Sequence, residues 1–101
     1  MCHIFAGQDP ANYTFVSRSI RLGGHSTSVK LEEKFWKILD YVAQEQSMTT
    51  PKFLSRVYDE ALDINGDVPN FASLLRCACV LYLEQPSEVM ETVRIQLAAD
   101  N

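Results

Sequence analysis

The side chains able to do chemistry are few, and only one stretch arranges them in a pattern. The chain has two histidines and three cysteines. A free amino terminus followed by His at position three, as in Met1-Cys2-His3, can chelate copper or nickel. Cys2 is small, so removal of the initiator methionine is expected, and that destroys the spacing. Cys77 and Cys79 are two residues apart and point away from each other on a helix, which makes them core thiols and not a metal pair. No glycine-rich phosphate cradle precedes a helix, and no nucleophile sits beside a base in an identifiable turn. The chain is not read as an enzyme, and neither cofactor nor metal is expected.

The patterned stretch is residues 17–36, SRSIRLGGHSTSVKLEEKFW. From Ser26 to Leu31 the residues alternate: Thr27, Val29 and Leu31 point one way on a strand, Ser26, Ser28 and Lys30 the other. Two hydroxyls and an ammonium, with no apolar neighbour, form either a solvated face or a face that reads nucleic acid.

The elements positioning that face follow from spacing. Gly23-Gly24 between two extended runs signals a two-residue hairpin turn, because glycine takes positive φ without penalty. Pairing Leu22 with His25 brings Ile20 to Thr27 and Arg18 to Val29 on one face. It leaves Ser17, Ser19, Arg21, Ser26, Ser28 and Lys30 on the other. His25 then faces inward, so a buried or hydrogen-bonded histidine is expected. Two rivals stay open: a strand continuing through a bulge, or residues 26–31 pairing with their copy in a second chain. Residues 1–16 read as an amino-terminal arm with a short apolar piece, Ile4 to Ala6, as an added edge strand. Tyr13 to Leu22 reads as extended.

After the strand everything reads as helix. Glu32 to Gln46 carries Phe35, Ile38, Leu39 and Val42 on one stripe, with Trp36 beside it as a core or dimer contact. Thr49 or Thr50 caps the next helix and Pro51 suits its first turn; it runs to about Asp63 with Leu54, Val57, Tyr58, Ala61 and Leu62 inward. Asn70 caps a third helix to about Glu84, whose run Cys77 to Leu83 is apolar all round and should be the most buried element. Residues 87–99 form a last amphipathic helix, with Val89, Val93 and Leu97 at spacing four, for packing or for contact with a protein partner.

At 101 residues and 47% hydrophobic, the chain is expected to be one domain, mainly α with a short β-ribbon or hairpin. A domain this small leaves much surface open, so dimerisation is a natural supplement. No run approaches the roughly 20 apolar residues of a membrane span, no signal peptide is recognised at the amino end, and the odd cysteine count fits reduced thiols in a cytoplasm. Net charge is −4. Residues 1–56 hold seven Lys/Arg against five Asp/Glu, a net +2, and residues 57–101 hold two against eight, a net −6. Such asymmetry can aim one end at a phosphate backbone.

The run Ser26-Thr27-Ser28-Val29-Lys30-Leu31, then a helix with Phe35, Leu39, Val42 and Ala43, then Ser47-Met48-Thr49 and a second helix, resembles the ribbon-helix-helix DNA-binding proteins. A bacterial subgroup is closer, with a Gly-His-x-Thr-Ser strand, Leu-Glu-x-x-Phe-Trp and a later Asn-x-x-Ser-x-Leu-Arg. These are matched by Gly24 to Ser28, Leu31 to Trp36 and Asn70 to Arg76, and the resemblance spans roughly residues 18–84. It implies a ribbon-helix-helix-like core with extra carboxyl-terminal helices, and a homodimeric transcriptional regulator in which one strand from each chain forms an antiparallel ribbon that lies in the major groove. By position, Ser26, Ser28 and Lys30 would read bases, joined by Arg21 in the hairpin form. The helix start at Thr49 and Thr50 would hold a phosphate. The alternative is a dimeric helical protein-interaction module without DNA binding, which the −6 half and the longer helical body favour.

Overall fold

The computed structural model describes residues 2–99. Two short helical pieces lead in: α1 (Cys2–Ala6) and a 3-10 turn at Pro10–Tyr13. The expected edge strand at Ile4 to Ala6 is therefore helical. Asp9 explains the turn, since its carboxylate accepts from the Ala11 amide at 3.0 Å and Pro10 supplies a fixed φ for the first position. Tyr13 belongs to this turn and not to the strand, which begins at Phe15.

Strands β1 (Phe15–Leu22) and β2 (His25–Glu32) form an antiparallel hairpin. The register pairs Leu22 with His25, Ile20 with Thr27 and Arg18 with Val29, as the alternation requires. Gly23 and Gly24 have φ of 56° and 83°, so both turn positions are left-handed and the connection has the twist of a type I′ turn. Residues 15–32 thus pair within one chain.

Helices α2 (Glu33–Glu45), α3 (Thr50–Asn65), α4 (Phe71–Glu84) and α5 (Pro86–Ala99) follow. α3 packs on β1, α4 on β2, and α2 touches both helices and β2. The core gathers Ile20, Leu22, Val29 and Leu31 from the ribbon with Trp36, Leu39, Leu54 and Leu75 from the helices. Trp36 is fully buried, its indole N–H donating to the Val16 carbonyl at 2.8 Å, so it is a core residue.

The loops are built by local chemistry. Beyond α2, the Met48 amide donates to the Ala43 carbonyl and the Ser47 amide to that of Gln44, a Schellman closure with Ser47 at φ 56°. Thr49 caps α3 by accepting from the Lys52 amide at 3.3 Å, and Asn70 caps α4 by accepting from Ser73 at 3.1 Å.

Four expectations about burial fail. α4 is not the most buried element: Leu75 and Cys79 are covered, but Val80, Leu81 and Leu83 are about half exposed. Cys77 is accordingly an exposed thiol and Cys79 alone of the pair is a core thiol. His25, although on the inner side of the ribbon, is exposed. Leu62 on α3 is also exposed. In α5, the side chains of Val93 and Leu97 lie outside the described residues, as do Met1 and the side chain of Cys2.

Candidate nucleic-acid interface

The ribbon has two chemically distinct sides. Its inner side carries Val16, Ile20, Leu22, Val29 and Leu31, with Arg18 among them. Its outer side carries Ser17, Ser19 and Arg21 from β1 opposite Lys30, Ser28 and Ser26 from β2, all exposed. Four sequence-designated residues, Arg21, Ser26, Ser28 and Lys30, are therefore brought onto one surface. Arg21 and Ser26 are direct cross-strand partners.

Two contacts order this surface. The Ser19 and Ser26 hydroxyls are hydrogen-bonded at 2.7 Å, fixing a polar centre across the strands. The Lys30 ammonium lies 4.9 Å from the centroid of the Phe15 ring, which is itself half exposed. Phe15 was not singled out from sequence; it extends the same face by the period of two and stations the lysine through a cation–π contact.

Thr49 and Thr50 lie elsewhere, at the start of α3. Thr49 is exposed and serves as the cap. The Thr50 hydroxyl donates to Asp40 Oδ1 at 2.7 Å. The same carboxylate receives both Arg18 Nη atoms, at 2.8 and 3.0 Å. The Arg18 guanidinium in turn stacks 4.3 Å above the Trp36 ring. These hydrogen bonds from Arg18 hold the Asp40 carboxyl below its ordinary pKa, against burial, with the Thr50 hydroxyl and the Arg18 charge adding to the effect. The network joins β1, α2 and the amino end of α3, tying the ribbon to the α3 start. Sequence reasoning missed it because Arg18 and Asp40 are 22 residues apart. A second tie, Arg76 Nε to Glu32 Oε1 at 2.9 Å, fixes α4 to the end of β2.

Among the described residues no His/Cys/Asp/Glu group is arranged to hold a metal, and no helix is long and apolar enough to cross a membrane.

A model of the ribbon-helix-helix domain matches residues 15–83, about two thirds of the chain, from the first residue of β1 almost to the end of α4. The chain belongs to the ribbon-helix-helix domain family. Among solved structures this ribbon-helix-helix chain is similar to an uncharacterized protein from Bordetella pertussis Tohama I. The two share 38% identity and a TM-score of 0.83, over 87% of this chain and 70% of that one. No curated protein matches at a significant level. The ribbon-helix-helix match takes in β1 as well as β2, and α4 as well as α2 and α3, so the intrachain hairpin and the third long helix fall within the domain.

Proposed function

We propose that this protein is a DNA-binding transcriptional regulator that works as a homodimer and reads the major groove with the outer face of its hairpin. The observation that carries this reading is the outer face itself. It presents Ser17, Ser19, Arg21, Ser26, Ser28 and Lys30, all exposed, on a two-stranded ribbon with its helices packed on the other side. Two strands about 4.8 Å apart, with side chains, suit a groove about 12 Å wide. Lys30 and Arg21 donate to guanine edges or phosphates, and the serine hydroxyls donate to or accept from either kind of base edge. The α3 start at Thr49 and Thr50 borders a phosphate, with Thr49 offering its exposed hydroxyl. Family membership supports this assignment, since such domains commonly serve DNA-binding regulators. No catalytic role is proposed.

The test is selection from a random pool of double-stranded DNA at moderate salt. Enrichment of a motif is expected, together with log K falling linearly with log salt by about 0.9 per phosphate neutralised. Lys30→Ala should lower that slope by about one if it meets phosphate. If it meets a base, it should relax selectivity at one position at a cost of about 1–3 kcal/mol. Light scattering should give twice the chain mass of 11.4 kDa. No enrichment and no salt-sensitive binding even at low salt would overturn the reading. The dimeric protein-interaction module without DNA binding would then stand, favoured by the −6 charge of residues 57–101.

A further inference from the structure

The helical body carries a second surface, unrelated to the ribbon. α3 and α4 both pack on α2 and meet each other where the Tyr58 and Phe71 rings touch edge to face, centroids 5.5 Å apart, and a furrow runs between them. Its volume is about 470 Å³. The floor is Leu39 and Val42 of α2, and the walls are Phe53 and Val57 of α3 with Ala78 and Tyr82 of α4. α5 forms a third wall through Val89, Thr92 and Gln96. The lining is predominantly apolar, and two of its aliphatic residues stand in solvent: Ile64 is 79% exposed and Leu81 50%. A small domain does not leave such side chains open along one continuous furrow without a consequence for association.

Charge decides the occupant. The acids Glu60 and Asp63 lie along the α3 side of the furrow, with Arg56 as the base among the described lining residues. Asp59, Glu84 and Glu88, on the helices that bound the furrow, are exposed. Arg76 is turned to Glu32, and Arg94 bonds Glu91 at 3.5 Å. A second copy would bring a furrow of the same net sign, with its own Glu60 and Asp63, against this one, which costs free energy at physiological salt. A partner with cations flanking an apolar stripe gains on both counts.

We infer that the furrow between α3 and α4 is a docking groove for a basic amphipathic helix of a partner protein. A guest helix would lie along the side of the furrow that α3, α4 and α5 leave open, at about 8–10 Å between axes. A guest helix would insert apolar anchors at i, i+3 or i+4, and i+7, and lay lysines or arginines toward Glu60 and Asp63. A volume of about 470 Å³ lies within the roughly 300–1,000 Å³ of binding clefts. The assignment does not depend on the DNA reading, because furrow and ribbon face share no residue.

The test uses the full chain and labelled synthetic peptides of about 18 residues, long enough to form a helix when bound. One has leucines on a single stripe with lysines elsewhere, a second has the same composition scrambled, and a third has glutamates for the lysines. Fluorescence anisotropy at about 0.15 M salt should give the striped lysine peptide at least about tenfold tighter binding than either control. The exposed reversals Glu60→Lys and Asp63→Lys should each weaken it several-fold, whereas Asp9→Lys, on the amino-terminal turn, should leave it unchanged. Lys30→Ala should also leave it unchanged, which separates this result from the DNA reading. Equal binding of striped and scrambled peptides would mean charge attraction alone and would overturn the groove. So would a dimer that Glu60→Lys strengthens and the striped peptide dissociates, because the occupant would then be a second copy.

Discussion

Asp40 holds the ribbon to the helices, and its removal has a calculable consequence. The carboxylate accepts from Arg18 Nη1 at 2.8 Å, Arg18 Nη2 at 3.0 Å and Thr50 Oγ1 at 2.7 Å. The Arg18 and Asp40 side chains keep 33% and 44% of their exposure, so solvent screens the pair and its full buried value does not apply. A bidentate, half-screened pair contributes about 1 kcal/mol and the hydroxyl bond about 0.5–1, so Asp40→Ala should cost about 1.5–2 kcal/mol. In a domain of this size that lowers Tm by roughly 6–16 °C. The pH dependence has a definite sign. The folded carboxyl titrates below its unfolded value of about 3.9, so the stabilisation is complete above that value. It disappears as pH falls through the lower, folded pKa. Thermal unfolding followed by circular dichroism should therefore show a constant gap between wild type and Asp40→Ala from about pH 8 to 5, closing in acid. A cycle with Arg18→Ala should give a coupling of about 0.5–1.5 kcal/mol. A difference under about 0.3 kcal/mol at pH 7, or a gap that persists in strong acid, would refute the reasoning.

Three further outcomes follow from local geometry. Ser47 closes α2 in the left-handed region, so Ser47→Gly should raise stability by about 0.5–1 kcal/mol in urea unfolding, and a loss would contradict the Schellman assignment. At the hairpin turn, Gly24→Ala should cost about 1–2 kcal/mol, whereas Gly23→Asn should be near neutral because asparagine tolerates that φ and its Cβ would meet Tyr58 at an ordinary 3.5 Å. Equal losses at the two positions would argue against the type I′ turn. With iodoacetamide and peptide mapping, Cys77 should alkylate in the native state and Cys79 only on unfolding, because burial pushes the Cys79 thiol up to about 11. Equal labelling rates would show that α4 does not seat as described.

The hairpin was legible because its rules are local. Alternation of side chains and a Gly-Gly pair fix register and facing within a span of 18 residues, 15–32. Alternation says which way His25 points, however, and not whether anything lies there; at the ribbon tip nothing covers it. The same limit explains α4. An apolar run reads as buried from any single helix, yet burial is supplied by neighbours, and here α2 and β2 cover only the side bearing Leu75 and Cys79. Thr50 shows the limit for polar groups. Its type suited a cap or a phosphate, but an acid 10 residues earlier takes the hydroxyl, and only the fold brings them together. What the sequence could not say about α4 is also what makes its exposed side informative. Among the described residues Val80, Leu81 and Leu83 remain about half exposed. The ribbon face sits on the half with net charge +2 and the furrow mostly on the half with −6. On the two readings proposed above, a polyanion would be drawn to the first surface and a cationic helix to the second. Because the two surfaces share no residue, the effects of Lys30→Ala, Glu60→Lys and their combination should be additive.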